Sequence, residues 1–163
     1  MKKFELTAEF VTNVFGKKLF RIKALVAFGN VEKGELGGFI EKEDNLSHDG
    51  DAWVYGNARV SGNAWVSGNA RVSGNAWVSG NARVSGNADY AVVAGFGRYF
   101  RTTTFFRCKD KILRVQCGCF YGDLAQFRKI VKKTHGDSKY AKEYLAIADL
   151  MELHFSDECG GEQ

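Results

Sequence analysis

Proline is absent from this sequence of 163 residues, and long apolar runs are missing as well. The longest apolar stretches, such as residues 24–28, are far too short for a membrane span, which needs about 20 residues. The excess of charge of one sign is also small, because 23 basic and 19 acidic residues leave a net charge of +4. A dedicated DNA-binding surface or a DNA mimic would need a much stronger imbalance. The 45% hydrophobic and 13% aromatic content excludes a disordered or collagenous chain and predicts a soluble, folded protein.

Cysteine is confined to the last third of the chain. The four positions are Cys108, Cys117, Cys119 and Cys159. An export signal is not predicted, since Glu5 and Glu9 interrupt the apolar stretch that it would need. We therefore expect a cytoplasmic location and free thiols rather than disulfide bonds. No metal site is predicted: the usual two-residue gap between paired cysteine ligands is missing, and a zinc site would need His135 or Cys159 as a further ligand.

A six-residue repeat dominates the middle of the chain. Residues 50–91 read GDAWVY GNARVS GNAWVS GNARVS GNAWVS GNARVS GNADYA. In the first six units a valine is followed four residues later by an alanine. An α-helix would scatter this period around its circumference, and a Gly-Asn pair in every turn would destabilise it. The pattern instead predicts short strands centred on Ala-X-Val, with corners at Ser-Gly-Asn, where glycine and asparagine accept left-handed backbone angles.

The repeat resembles the hexapeptide-repeat family, and this resemblance implies a left-handed parallel β-helix with three strands in each coil of about 18 residues. The perfect repeat then supplies just over two coils. Residues 36–40 and 45–46 are expected to form a degenerate third coil, with Leu46 one unit before Ala52. On the same alignment His48 takes the place of an inward valine. Position n is expected to lie one strand spacing, roughly 4.8 Å, from position n + 18.

The outward X positions alternate strictly between tryptophan and arginine. They are Trp53, Arg59, Trp65, Arg71, Trp77 and Arg83. The n + 18 spacing predicts three stacked Trp–Arg pairs on the outer surface, at cation–π distance. Two interpretations stay open: the pairs shield the backbone and pack under the terminal segments, or they form a contact surface for a protein partner or a second subunit. A nucleic-acid platform is not expected, because three arginines and no lysine accompany the tryptophans.

The chain is predicted to be mainly β with a C-terminal α+β unit, in three regions. Residues 1–35 form an N-terminal β-hairpin cap, because apolar and polar residues alternate in two runs there. Residues 36–92 form the β-helix, whose open end the hairpin is expected to cover. Residues 93–163 form a ββαα unit.

The predicted C-terminal unit begins with two strand-like runs, residues 101–108 and 112–120, which are joined by a reverse turn. A helix follows over residues 122–134, with Asp123 as its N-cap, and a second helix comes after it. The tail over residues 156–163 is expected to fray.

Nearly the whole chain resembles a group of small bacteriophage and prophage proteins. The resemblance rests on segments before and after the GNAxV repeats: residues 19–25 (LFRIKAL), 34–41 (GELGGFIE), 117–124 (CGCFYGDL), 134–137 (THGD) and 142–145 (KEYL). It implies a phage origin, and it implies no established catalytic function.

Catalysis is not predicted. Acyltransferases of the hexapeptide-repeat family use a histidine at a subunit groove as general base, and His48 is the only histidine near the repeat. No inserted loop accompanies it, so we expect a capping role for His48. A phosphate site at Gly95-Phe-Gly-Arg98, with Arg98 and Arg101 as cations, is a weak candidate, since a lone GxG pattern is more often turn chemistry.

The sequence thus favours a non-catalytic phage accessory protein in the host cytoplasm. It is expected to bind a host protein, as an inhibitor of a bacterial antiviral defence system, without a cofactor and as a monomer or a homo-oligomer, either dimer or trimer. One alternative is a small-ligand binder for nucleotides that uses Arg98 and Arg101. Another alternative is a degenerate hexapeptide-repeat acyltransferase.

Overall fold

The computed structural model describes residues 2–156. The strands are β1 (Phe4–Thr12), β2 (Lys18–Ala24), β3 (Leu36–Ile40), β4 (Trp53–Val54), β5 (Arg59–Val60), β6 (Trp65–Val66), β7 (Arg71–Val72), β8 (Trp77–Val78), β9 (Arg83–Val84), β10 (Tyr90–Phe96), β11 (Arg101–Arg107), β12 (Leu113–Cys117) and β13 (Phe120–Asp123). Two helices follow, α1 (Leu124–His135) and α2 (Lys139–His154). Most of the tail expected to fray, with Cys159, lies outside the described residues.

The N-terminal strands form an antiparallel hairpin that continues into the repeat region. Strands β1 and β2 pair from Phe4 opposite Ala24 to Thr12 opposite Lys18. Asn13 shapes the turn, because its side-chain oxygen accepts hydrogen bonds from the amides of Phe15 and Lys17. Strand β3 pairs antiparallel with β2 on one edge and parallel with β5 on the other, which joins the hairpin to a five-stranded sheet of order β1-β2-β3-β5-β8.

The six two-residue strands β4 to β9 stack in parallel as a short β-solenoid. The pairs Trp53–Arg71, Arg59–Trp77 and Trp65–Arg83 confirm the predicted n + 18 register. The repeat alanines and valines from Ala52 to Val84 point inward and are at most 1% exposed. The glycines that begin the units from Gly50 to Gly80 have φ between +58° and +72°, the corner geometry that the sequence predicted. A stack of small and branched side chains therefore fills the solenoid core.

The first coil departs from the repeat by two residues. Phe39 pairs with Arg59, and Leu46 bridges to Val66, so the spacing here is 20 residues rather than 18. Leu46 therefore takes the valine position of its unit, and the expected alignment of Leu46 with Ala52 is wrong. Gly38 permits the close packing of this coil, because a Cβ there would lie 2.5 Å from the carbonyl oxygen of Ala58.

The C-terminal sheet contains four antiparallel strands, in the order β10-β11-β12-β13. The expected ββαα unit is therefore wrong in its strand number, since β10 and β13 were not predicted. Strand β10 also runs across the predicted boundary between residues 92 and 93. The sheet meets the last coil through β11: Cys108 bridges to Ala82, and the Thr104 hydroxyl accepts a hydrogen bond from the Trp77 amide at 3.0 Å.

The two helices pack on the other side of this sheet. Asp123 caps α1 as predicted, accepting a hydrogen bond from the Gln126 amide at 2.8 Å, and Ser138 caps α2. Phe127 and Val131 of α1, with residues of α2, form a second core around Phe105. Among residues 2–156 no helix is both long and apolar enough to cross a membrane.

Candidate functional site

The solenoid has three faces, and the chain itself covers the face that carries Trp53. Trp53 is fully buried, with the rings of Phe28 and Phe4 edge-on at 5.3 and 6.4 Å. Trp53 thus fits the interpretation in which the outward residues pack under a terminal segment, and its prediction as a partner-binding residue is wrong. Alternation does turn its side chain away from the solenoid core, but the N-terminal segment lies over it. A partner therefore has no access to Trp53. Arg71, its neighbour on this face, remains exposed.

The second face, with β3, β5 and β8, is partly covered. Trp77 is half-buried, and its indole N–H donates a hydrogen bond to the Ser61 hydroxyl at 2.8 Å. The Phe15 ring, from the turn between β1 and β2, lies 6.0 Å from the Trp77 ring. Arg59 is also half-buried on this face. The N-terminal hairpin thus occupies much of the space above Trp77.

The predicted cation–π stacking does not accompany the confirmed backbone register. None of the three Trp–Arg pairs is in cation–π contact within the part of the chain that the structure describes. Arg83 instead donates hydrogen bonds to the carbonyl oxygens of Asn63, at 2.9 Å, and Ala82, at 3.0 Å. The guanidinium group therefore binds backbone carbonyl oxygens of its own and the neighbouring coil rather than the Trp65 ring.

The third face is formed by β6 and β9 and is called the β6–β9 face here. Trp65 on this face is 44% exposed, and Arg83 lies beside it. A groove of about 590 Å³ runs along the face, and its charged lining residues are Lys42, Asp44, Arg83 and Lys109. Lys42 is held in place by a hydrogen bond from Nζ to the side-chain oxygen of Asn63 at 2.7 Å. Three cations against one carboxylate make this groove positive.

Arg98 and Arg101 both lie at the tip of the β10–β11 hairpin, on either side of Tyr99 in the sequence. Each guanidinium group lies 5.6 Å from the centre of the Tyr99 ring. All three residues line the mouth of a separate cavity of about 260 Å³ in the C-terminal unit. The weak sequence candidate therefore corresponds to a real concavity, although the GxG segment lies in a strand end and turn rather than before a helix.

His48 lies at the N-terminal end of the solenoid, with both ring nitrogens in use. Its Nδ1 accepts a hydrogen bond from the Lys3 amide at 3.0 Å, so Nε2 carries the proton and donates to Glu43 at 2.8 Å. This hydrogen bond, together with the nearby charge of Lys2, lowers the pKa of Glu43. The imidazole also stacks on the Phe4 ring at 4.2 Å. The alignment of His48 with an inward valine is wrong, since Leu46 fills that place.

The cysteines do not converge. Cys108 follows β11 and is buried, and burial raises the pKa of its thiol. Cys117 lies at the far end of the same sheet, opposite Thr103, and Cys119 is exposed in the turn before β13. Within residues 2–156, no group of three or more His, Cys, Asp or Glu side chains is placed to hold a metal ion.

Sequence reasoning missed several residues of both concavities. The first coil is two residues longer than a regular coil, and this places Lys42 on the β6–β9 face. Lys42 can be assigned to this face only when the register of the first coil is known. Lys109 arrives from the turn after β11 and carries no periodic signal. In the C-terminal cavity, His135 and Tyr144 come from two different helices, so no local motif joins them to Arg98.

A family model matches part of the repeat region. The family model described as the YdcK beta-solenoid repeat matches two overlapping stretches, residues 52–68 and 64–80. A search of curated proteins found no match to this chain. The matched stretches contain strands β4 to β8, so the repeat region is similar to a β-solenoid repeat in sequence as well as in its parallel strand pairing.

Proposed function

We propose that this chain is a non-catalytic accessory protein that binds an acidic surface of a host protein through the β6–β9 face. The observation that carries the proposal is the exposed Trp65 beside Arg83, on a solenoid face that residues 2–156 leave open. Tryptophan and arginine are the residues most often found at binding hot spots. The coils are proposed to wind in the left-handed sense of hexapeptide repeats.

The charge of the groove favours an acidic partner. Lys42, Arg83 and Lys109 outnumber Asp44, and hydrogen bonds to Asn63 already hold Lys42 and Arg83. Cations held in place lose little side-chain freedom on binding, and complementary charge speeds association. The affinity is therefore expected to fall as salt concentration rises.

A phage origin, which the sequence resemblance implies, makes a bacterial host protein the natural partner. In that setting the protein would act in the host cytoplasm, and inhibition of an antiviral defence system is the form of binding that we propose. A homodimer or homotrimer built through the β6–β9 face is the competing use of the same surface.

The test uses variants of matched chemistry. Tagged wild-type protein, the double variant Trp65→Ser/Arg83→Ser and the control Arg71→Ser are used to capture partners from host cells. Arg71 is an exposed arginine at the equivalent repeat position on another face. A stoichiometric acidic partner that binds at least tenfold more weakly to the double variant but normally to Arg71→Ser supports the proposal.

Two outcomes contradict it. One is a partner whose affinity the double variant leaves unchanged. The other is light scattering that finds only self-association of the wild type, lost in Trp65→Ser/Arg83→Ser. The non-catalytic part has its own test: acyl transfer from a thioester donor that His48→Ala abolishes would overturn it.

A further inference from the structure

The cavity in the C-terminal unit lies apart from the β6–β9 face. Its walls are the tip of the β10–β11 hairpin, the turn between β12 and β13, and the two helices. Its volume of about 260 Å³ is near the lower end of small-molecule sites. A ligand in this cavity would therefore be small, of the size of a single nucleotide rather than a dinucleotide.

The inner wall of the cavity is aromatic. The rings of His135 and Tyr144 stack at 5.8 Å with an interplanar angle of 27°, and Phe127 meets Tyr144 edge-on at 5.9 Å. Burial raises the pKa of Tyr144, which therefore stays a neutral phenol at physiological pH. Flat aromatic rings of this kind pack well against a planar heteroaromatic ligand.

The mouth of the cavity is cationic. Arg98 and Arg101 both lie against Tyr99, and neither forms an ion pair within residues 2–156. The carboxylate of Glu143 lies at the same hairpin tip, where it accepts a hydrogen bond from the Gly97 amide at 2.9 Å but forms no ion pair with either arginine. Both arginines line the same cavity, so an anion bound there would be attracted by two positive charges.

The turn before β13 helps to position Arg101. Gly118 has φ +58°, and a Cβ at this residue would overlap the Arg101 guanidinium group. The guanidinium therefore rests directly on the Gly118 backbone. A guanidinium group at this place carries a planar N–H fork that matches the geometry of a phosphate group.

We propose that this cavity binds a nucleoside monophosphate, with the base against His135 and Tyr144 and the phosphate between Arg98 and Arg101. Two features of the site define this ligand class: an aromatic wall, and two arginines at the mouth that form no ion pair within residues 2–156. The site is independent of the proposed partner-binding face, so either proposal can fail without the other.

Calorimetric titration with AMP, GMP, CMP and UMP tests the proposal. The corresponding nucleoside and inorganic phosphate serve as the two halves of each ligand. The expected result is saturable binding of at least one monophosphate, at least tenfold tighter than either half. The variant Arg98→Ala/Arg101→Ala should lose tenfold or more in affinity, whereas Lys129→Ala/Lys139→Ala, which removes the same charge from exposed helix positions, should not.

A measurement on the unchanged protein covers the case in which a variant fails to fold. Cys119 is exposed and lines the cavity, so a bound nucleotide should slow its alkylation, followed by peptide mass spectrometry. The proposal is overturned if none of the four monophosphates binds saturably. It is equally overturned if phosphate alone binds as tightly, if the arginine variant binds normally, or if Cys119 reacts at an unchanged rate with saturating nucleotide.

Discussion

Lys3 is a buried cation at the N-terminal end of the solenoid. Its ammonium group donates hydrogen bonds to the carbonyl oxygens of Ala52, at 2.7 Å, and Gly50, at 3.3 Å, and lies over the Phe28 ring. These carbonyls belong to the first coil and have no earlier coil beneath them. Lys3 therefore supplies donors that a further strand would otherwise provide.

The burial of Lys3 makes stability depend on pH. Burial lowers its pKa from the usual 10.5 to about 8, against the attraction of Asp51 and Asp49. Between about pH 8 and 10.5 the unfolded chain binds the proton better than the folded one, so the folded state gains stability as pH rises through this window. A shift of this size corresponds to about 3 kcal/mol.

We therefore expect the unfolding free energy of the wild type, relative to Lys3→Met, to increase by up to about 3 kcal/mol from pH 7 to pH 10. Urea unfolding at stepped pH measures this difference. Lys2→Met, at a neighbouring exposed lysine, should track the wild type across the range. A wild-type advantage over Lys3→Met that is constant or falls with pH contradicts the prediction.

At the scale of the elements, Asn45 fixes the first coil. Its side-chain NH₂ group donates to the carbonyl oxygens of Ala64, at 2.9 Å, and Gly62, at 3.1 Å, and its side-chain oxygen accepts from the Lys42 amide. Asn45 is fully buried, and its hydrogen bond to the Ala64 carbonyl oxygen lies in the interior. Three backbone groups of two adjacent coils thus depend on one amide.

Replacing this amide should weaken the whole coil. Asn45→Ala leaves buried backbone groups unpaired, and we expect a loss of about 2–3 kcal/mol in unfolding free energy. Asn69→Ala, an exposed asparagine of a regular unit, should cost less than about 0.5 kcal/mol. Urea unfolding of both variants measures this difference. Equal losses of unfolding free energy would contradict a specific stabilising role for the Asn45 side chain.

Repetition explains which elements the sequence predicts well. The n + 18 register follows from six near-identical units, because each unit must place its valine inward. The first coil has two more residues than a regular coil, near His48, and the repeat pattern does not predict them. They are recognised only from the pairing of Leu46 with Val66 in the structure. Strand β10 overlaps the last repeat unit and breaks its pattern, so it carries no clear alternation. For the candidate site, alternation gives the direction of Trp53 but not the aromatic rings that cover it.

At the scale of the whole molecule, strand β11 joins two cores. Phe106 points into the solenoid core and Phe105 points into the core beneath the helices. Successive residues of a strand face opposite sides, so one strand serves both cores. Neither residue is exposed. The solenoid and the C-terminal unit are therefore expected to unfold as one cooperative body.

This coupling can be measured because the spectroscopic probes of the two parts lie in different segments of the chain. All three tryptophans lie in the repeat, and both α-helices lie after it. In urea, tryptophan fluorescence and helical circular dichroism should report one coincident transition. Phe105→Ala, which alters only the helix-side core, should destabilise both signals equally, by about 3–5 kcal/mol. Phe100→Ala, at a ring that is 69% exposed, should shift neither signal appreciably. If Phe105→Ala moves the helix signal and leaves the tryptophan transition in place, the two cores fold independently, and β11 merely lies between them.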